Sequence, residues 1–245
     1  MKIIAYFCLL FIICIQVSMA GVAINGTRII YHEGAREYGL RVANVNEYPI
    51  LFQPWVDHGD GEPNTNLGPF VIVPPFIKME ESDVSTLRMI YDGSKLPEDR
   101  ESVFWLNLYE VPLIKKKKEN TQYLNMAMNT QVKVFYRPKN LKAMGIEEIV
   151  GQVKFRLIQN EKGGAMLIDN PTPYSLSLLN IVLNDQKENI LAKSQPTIDT
   201  LVMPFSQKQE YLVYPVSNIQ HVAYAQIRVI DDSGKTLEFK KEVNN

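Results

Sequence analysis

The most informative stretch of this chain is LPEDRESVFWLNLYEVP, residues Leu96–Pro112. A charged turn opens the stretch, and a run follows in which apolar and polar residues alternate. Alternation of this kind predicts a β-strand with one buried face. The run ends at Pro112, which has no backbone N–H to give to a sheet. A second stretch, QVKVFYRP at 131–138, alternates in the same way and also ends at a proline.

Similar short runs fill most of the chain and fall into two series separated by a linker at 139–148. Turn-forming clusters separate the runs, and no long segment after residue 20 has helical periodicity. This spacing predicts an all-β protein of two sandwich domains, at 21–141 and 147–245. The first series has runs at 22–31, 38–45, 50–56, 70–73, 86–91, 103–111 and 123–136, and the second at 152–159, 165–168, 174–183, 200–203, 210–213, 222–230 and 237–243.

Residues 1–20 have the pattern of a secretory signal peptide. Lys2 supplies a positive start, Ile3–Ile15 is apolar, and small residues Ser18 and Ala20 stand where cleavage is expected. The alternative is an uncleaved anchor, for which the apolar run is short. Cleavage after Ala20 removes both cysteines of the chain, so we expect an exported protein without disulfides or thiol chemistry.

The remaining composition argues against several classes of function. The formal net charge of −1 gives no electrostatic basis for binding nucleic acid. The three histidines are widely separated and match no metal-ligand spacing. Neither a Gly-x-Ser-x-Gly motif nor a phosphate-binding glycine loop is present. We therefore expect no enzymatic activity, no metal and no cofactor.

Six motifs in order resemble those of PapD-like periplasmic pilus chaperones, and together they cover nearly all of the chain after residue 20. They are GTRIIY at 26–31, VPP at 73–75, the stretch Leu96–Pro112, VFYRP at 134–138, DNPTPY at 169–174 and MPFS at 203–206. The resemblance implies two immunoglobulin-like β-sandwich domains arranged as a boomerang around a cleft. It also implies a function as a periplasmic chaperone of pilus assembly.

The resemblance further implies a binding site for the C-terminal carboxylate of a pilin subunit. By position, its two cations are Arg28 and Lys133. An arginine fork and a lysine point charge suit a carboxylate, and each charge-assisted hydrogen bond contributes about 1.5–3 kcal/mol. The alternative is that both residues are ordinary surface cations on two strands.

A stripe of apolar residues, Leu124, Met126 and Met128, precedes Lys133 on the same predicted strand. The resemblance implies that this stripe fills the groove of an incomplete pilin sandwich. The alternative is that it packs into its own core. Strict alternation places Lys133 on the opposite face from the stripe, unless a bulge near Asn129 shifts the register.

Two further features follow from the resemblance. Glu101 and Arg137 match members of a charge network between the domains, but no acidic partner is evident around 216–218, where one is expected. The basic run Lys115–Lys118 occupies a short loop, which resembles the short-loop branch of the family and also suits a solvated loop.

The predicted function is donor-strand complementation. The chaperone would bind pilin subunits and deliver them to an outer-membrane usher, with no nucleic acid or stable membrane insertion involved. When free, it could cap its own exposed strand by dimerising. The rival hypothesis is a secreted immunoglobulin-like adhesin or fimbrial subunit, which requires a sandwich that lacks a strand.

Overall fold

The computed structural model describes residues 21–63, 65–113, 126–160, 163–194, 200–213 and 221–243. These residues form two β-sandwiches and one short helix, so the prediction of an all-β fold with two immunoglobulin-like domains is confirmed. Residues 1–20, Leu124 and the basic run Lys115–Lys118 lie outside the described ranges.

Nine strands form the first sandwich within the described ranges. One sheet has the order β1-β3-β7-β5 and the opposing sheet the order β2-β9-β8-β4-β6. The strands are β1 (Val22–Ile24), β2 (Arg28–His32), β3 (Tyr38–Asn44), β4 (Ile50–Asp57), β5 (Phe70–Val73), β6 (Ile77–Met79), β7 (Val84–Tyr91), β8 (Ser102–Pro112) and β9 (Met128–Arg137).

Alternation in β8 and β9 builds the centre of this core. The inward residues of β9 are Val132, Val134 and Tyr136, and they pack among buried side chains of β8 such as Phe104 and Leu106. Burying one large apolar side chain contributes about 1.5–3 kcal/mol, so the second half of β9 is held firmly. The outward residues between them are left to face the second sandwich.

The predicted run 22–31 is two strands rather than one. Gly26 has a φ of 100°, a conformation that glycine adopts without strain, and the chain turns there. As a result, β1 pairs antiparallel with β3 in one sheet, whereas β2 pairs parallel with β9 in the other. The three-residue β6 was also missed, because so short a run shows no alternation.

The second sandwich has eight strands among the described residues. Its strand order is β10-β11-β15-β13-β12-β16-β17, and β14 pairs with β12 outside this order. Strand β15 joins the two halves, because its first residues pair with β11 and its last residues pair with β13. The strands are β10 (Lys154–Asn160), β11 (Gly163–Asn170), β12 (Leu176–Asn184), β13 (Ile190–Ser194), β14 (Leu201–Val202), β15 (Ser206–Val213), β16 (Tyr224–Ile230) and β17 (Thr236–Lys241).

Two elements of this sandwich were not predicted. Strand β13 buries Ala192 and Ser194, and these small side chains give little hydrophobic alternation. Helix α1 (Ile146–Gln152) begins inside the predicted linker, and its Ile149 and Val150 are buried against the sandwich core. A helix of two turns is too short to show a clear 3.6-residue period.

A charge network joins the two sandwiches. Arg137, at the end of β9, lies 2.6 Å from Glu101 and 2.8 Å from Asp232. Asp232 follows β16 in the β16–β17 turn, so the acidic partner lies here rather than around 216–218, a segment outside the described ranges. Sequence reasoning missed it because the turn sequence DDSGK indicated only a hairpin.

Glu101 is the buried centre of the network. Its Oε2 accepts a hydrogen bond of 2.8 Å from the Ser175 amide, and its own amide donates one of 2.9 Å to the Pro173 carbonyl. Burial raises the pKa of Glu101, and this rise is opposed by Arg137 and by the Ser175 amide. Burial disfavours the Arg137 cation, but hydrogen bonds to Asp232 and Glu101 outweigh it and raise the pKa of Arg137.

We predict unequal losses of stability when the two acids of the network are removed. Glu101→Ala leaves the largely buried Arg137 without its inner partner and should cost about 3 kcal/mol. The matched variant Asp232→Ala removes a side chain that is 62% exposed, and should cost less than about 1 kcal/mol. Urea unfolding followed by the fluorescence of Trp55 and Trp105 measures both losses. Equal losses would contradict the assignment of Glu101 as the centre.

Candidate functional site

The two predicted cations lie side by side on neighbouring strands. In the parallel ladder between β2 and β9, Arg28 is the register partner of Lys133. Neighbouring strands are about 4.8 Å apart, so the two side chains leave the same face of the sheet at adjacent points. Two cations so close can both bind a single carboxylate.

Arg28 is anchored at the boundary between the sandwiches. Its Nη1 donates hydrogen bonds to the Ile230 carbonyl at 3.0 Å and to Ser177 Oγ at 3.4 Å. Its guanidinium carbon lies 5.7 Å from the centre of the Phe135 ring, and its buried Nε has no hydrogen-bond partner. Burial lowers the pKa of Arg28, against the opposing effect of Asp232 and Asp231. An incompletely satisfied, partly desolvated cation favours an anionic ligand.

A cavity of about 290 Å³ opens beside Arg28 in the cleft between the domains. Arg28, Phe135 and Arg137 line it from the first sandwich, and Tyr174 and Asp231 from the second. The cleft is therefore a recess that already contains charged groups of both signs. Glu101, Asp231 and Asp232 supply its carboxylates, and Arg28 and Arg137 its cations.

Strand β9 has an edge that no described strand covers. It pairs with β8 along all but its last residue, from Met128 opposite Glu110 to Tyr136 opposite Ser102. On its other side, β2 pairs only with the second half, which begins at Lys133. The N–H and C=O groups of the first half therefore have an open side, among the described strands, at which another strand can add.

The apolar side chains near this edge are exposed. Met126 is 64% exposed and Met128 43%, so the core of their own sandwich does not cover them. Burial begins only at Val132, farther along the strand. Leu124, the third predicted member of the stripe, lies outside the described residues.

The register between β8 and β9 runs without a bulge from Met128 to Tyr136. Strict alternation therefore holds through Asn129, and Lys133 lies on the opposite face from Met128. One strand thus presents the exposed Met128 side chain on one face and the Lys133 cation on the other.

A polar cluster not predicted from the sequence occupies the cation-bearing face. Asn107 Oδ1 accepts hydrogen bonds from Asn129 Nδ2 at 2.9 Å and from Gln131 Nε2 at 3.0 Å. These side chains hold the first half of β9 to β8 even though it lies beyond the core. The signal was present in the alternating polar residues Asn129, Gln131 and Lys133, but polar alternation alone also describes any solvated face.

Two other kinds of site are absent from the described residues. They contain no group of three or more His, Cys, Asp or Glu side chains placed to hold a metal ion. No helix among them is long and apolar enough to cross a membrane.

Comparison with protein families gives two matches that together span most of the chain. Residues 21–142 match the model for the pili and flagellar-assembly chaperone PapD N-terminal domain. Residues 148–241 match the model for the C-terminal domain of the pili assembly chaperone PapD.

Individual relatives agree with this result. The chain is 32% identical over 226 residues to the probable fimbrial chaperone YadV of Escherichia coli strain K12, which covers 90% of this chain and 89% of the relative. It is 31% identical over 217 residues to the chaperone protein HifB of Haemophilus influenzae, covering 84% and 83% of the two chains.

Two solved structures have the same fold along nearly their whole length. The crystal structure of the YadV chaperone matches with a TM-score of 0.73 and 28% identity, covering 90% of this chain and 98% of that one. The SafB chaperone, solved in complex with the SafA pilin of Salmonella enterica, matches with a TM-score of 0.72 and 27% identity, covering 93% and 98%. The chain therefore belongs to the PapD-like family of periplasmic pilus-assembly chaperones, which are not enzymes.

Proposed function

We propose that this protein binds pilin subunits by adding the first half of β9 to their incomplete sandwich. The observation that carries the proposal is the open edge of β9, with Met126 and Met128 exposed beside it. Strand addition draws affinity from backbone hydrogen bonds and specificity from alternate side chains. Donor-strand complementation of a pilin by its chaperone is a known example. The SafB relative, whose structure contains a pilin, supports this choice of partner.

Arg28 and Lys133 fix the position of the subunit along the strand. We infer that they bind its C-terminal carboxylate in the cleft, each contributing about 1.5–3 kcal/mol. With the terminus held at Lys133, the last residues of the pilin run along β9 toward Met128. The anchor therefore sets which pilin residues face the apolar stripe Leu124, Met126 and Met128.

We further propose how the protein reaches its site of action. Residues 1–20 act as a cleaved signal peptide, and the mature domains at 21–141 and 147–245 function in the periplasm. The bound pilin passes to an outer-membrane usher. The protein belongs to the short-loop branch of the family, because the loop predicted to contain Lys115–Lys118 is short. When no pilin is present, two copies cap their open β9 edges against each other.

The rival hypothesis of an adhesin or fimbrial subunit has less support. A subunit requires a groove from which one strand is missing. The first sandwich instead has nine strands among its described residues, and its unpaired backbone lies at an edge rather than in a groove.

Removing either cation should weaken pilin capture. We predict that Arg28→Ala and Lys133→Ala each lower the amount of co-purified pilin at least tenfold, because each removes a charge-assisted contact to the carboxylate. Arg41→Ala, which removes an exposed arginine of the other sheet, is the matched control and should retain capture. Co-expression with candidate pilins, followed by pull-down and circular dichroism of each variant, makes the measurement.

A pilin with an amidated C-terminus distinguishes loss of the carboxylate contact from a non-specific loss of pilin binding. It should bind the unmodified chaperone as weakly as the native pilin binds Lys133→Ala, with little further loss when both changes are combined. If both cation variants retain wild-type capture, the anchor assignment is wrong.

A charge on the apolar face of the donated strand should also prevent capture. Met128→Asp would bury an unpaired carboxylate in the pilin groove, and we expect at least a tenfold loss of pilin affinity. Ala127→Asp adds the same charge at an exposed neighbour of opposite alternation and should have less than a threefold effect. Equal losses for the two variants would contradict the proposed facing of the strand, and binding titrations with purified pilin measure them.

A further inference from the structure

The first described residue, Gly21, is buried rather than trailing into solvent. Its nitrogen donates a hydrogen bond of 2.8 Å to Asn46 Oδ1, and its carbonyl accepts one of 3.0 Å from the Val45 amide. A φ of 116° requires glycine here. A Cβ added to it would also lie 3.3 Å from Met128 Cε. The position is therefore tightly enclosed.

A buried carboxylate with an unpartnered oxygen lies against Gly21. Glu110 is only 3% exposed, and its two oxygens lie 3.9 and 4.0 Å from the position that a Cβ on Gly21 would occupy. Its Oε1 accepts a long hydrogen bond of 3.4 Å from Asn46 Nδ2, whereas its Oε2 has no hydrogen-bond partner. No ion pair among the described residues includes Glu110. A buried carboxylate without a cation is costly.

The side chain of Asn46 is held in place to accept a hydrogen bond from Gly21 and to donate one to Glu110. Its backbone amide and its Nδ2 donate to Asn44 Oδ1 at 3.1 and 2.9 Å. Asn44 is in turn fully buried and fixed by hydrogen bonds to backbone carbonyls of Tyr48 and Glu80. The Asn46 amide oxygen therefore contacts the Gly21 nitrogen, and the Glu110 carboxylate lies beside the same residue, close to where a Cβ on Gly21 would be.

We propose that this frame is a binding site for the α-ammonium group that removal of the signal peptide creates at Gly21. The inference rests on the proposed export of the chain. Hydrolysis by a signal peptidase adds water across the Ala20–Gly21 peptide bond. Ala20 keeps the oxygen as a carboxylate, and the Gly21 nitrogen becomes a protonated amine. An amide with one hydrogen is thus replaced by a cation with three donors.

The new cation completes the hydrogen bonding of the site. One N–H retains the bond to Asn46, and the positive charge neutralises the buried Glu110 carboxylate beside it. Burial raises the pKa of Glu110, against the opposing effect of hydrogen bonds from the Asn46 side chain and the Val22 backbone. Glu110 is the register partner of Met128, the first residue of β9. Removal of the signal peptide therefore stabilises β8 at the position that pairs with the start of β9, the strand offered to the pilin.

A double-mutant cycle on the mature chain tests the inference. One chain begins at Gly21 and the other retains Ala20, which moves the ammonium one residue away. Each is made with Glu110 and with Glu110→Gln, and urea unfolding gives the folding equilibrium constants. We expect retention of Ala20 to lower the constant about tenfold or more with Glu110, but less than threefold with Glu110→Gln. A loss of the same size in both backgrounds reports only steric crowding and would overturn the inference.

Two further measurements keep this inference separate from the proposed function. N-terminal sequencing of the exported protein should begin at Gly21, and a different first residue would overturn the ammonium site. Pilin capture by the Gly21 chain is measured in parallel. If the chain captures pilin but retention of Ala20 and Glu110→Gln show no coupling, only the ammonium site is refuted. If the two changes are coupled but pilin is not captured, the ammonium site is supported and the proposed function is refuted.

Discussion

The backbone pairing of β9 with two neighbours of unequal extent governs the arrangement of the whole site. Strand β8 pairs with β9 from Met128 to Tyr136, whereas the pairing of β2 with β9 begins only at Lys133. The second half of β9 therefore has a strand on both sides and a row of core side chains beneath it. Among the described strands, the first half has one neighbour, and it lies beyond the core. A single strand is thus half scaffold and half exposed edge, and the boundary between the halves coincides with the pair of cations.

The same strand also controls the cleft. Alternation sends Lys133, Phe135 and Arg137 away from the core that holds Val132 and Val134. Phe135 packs with Val103 and with Leu201 of the second sandwich, and Arg137 pairs with Asp232. Strand β9 therefore supplies the contacts that fix the second domain. It also holds β2, which carries the Arg28 cation beside the cavity. A movement of the second domain would have to break contacts made by β9 itself.

Much of this arrangement was predictable from the sequence because strand alternation is a local property. It identified β8 and β9, the two sandwiches, and the opposite facing of Lys133 and Met128. Contacts set by the tertiary fold were not predictable in this way. Asp232 lies in a hairpin turn whose residues would suit any turn, and only the docking of two domains brings it to Arg137. Strand β13 and helix α1 were missed because they are short and bury few large side chains.

The parallel pairing of β2 with β9 has a consequence for the order of events during biogenesis. Arg28 belongs to the second strand of the first domain and Lys133 to its last, so their pairing closes a very long loop. Contacts between such distant segments form late, and an exported chain emerges with its N-terminus first. On the proposed export route, the cation pair therefore forms only after the final strand of the first domain has been translocated. On the proposed role of the two cations, an incompletely exported chain has Arg28 without Lys133 and lacks the proposed carboxylate anchor, so pilin binding is expected only of the completed domain.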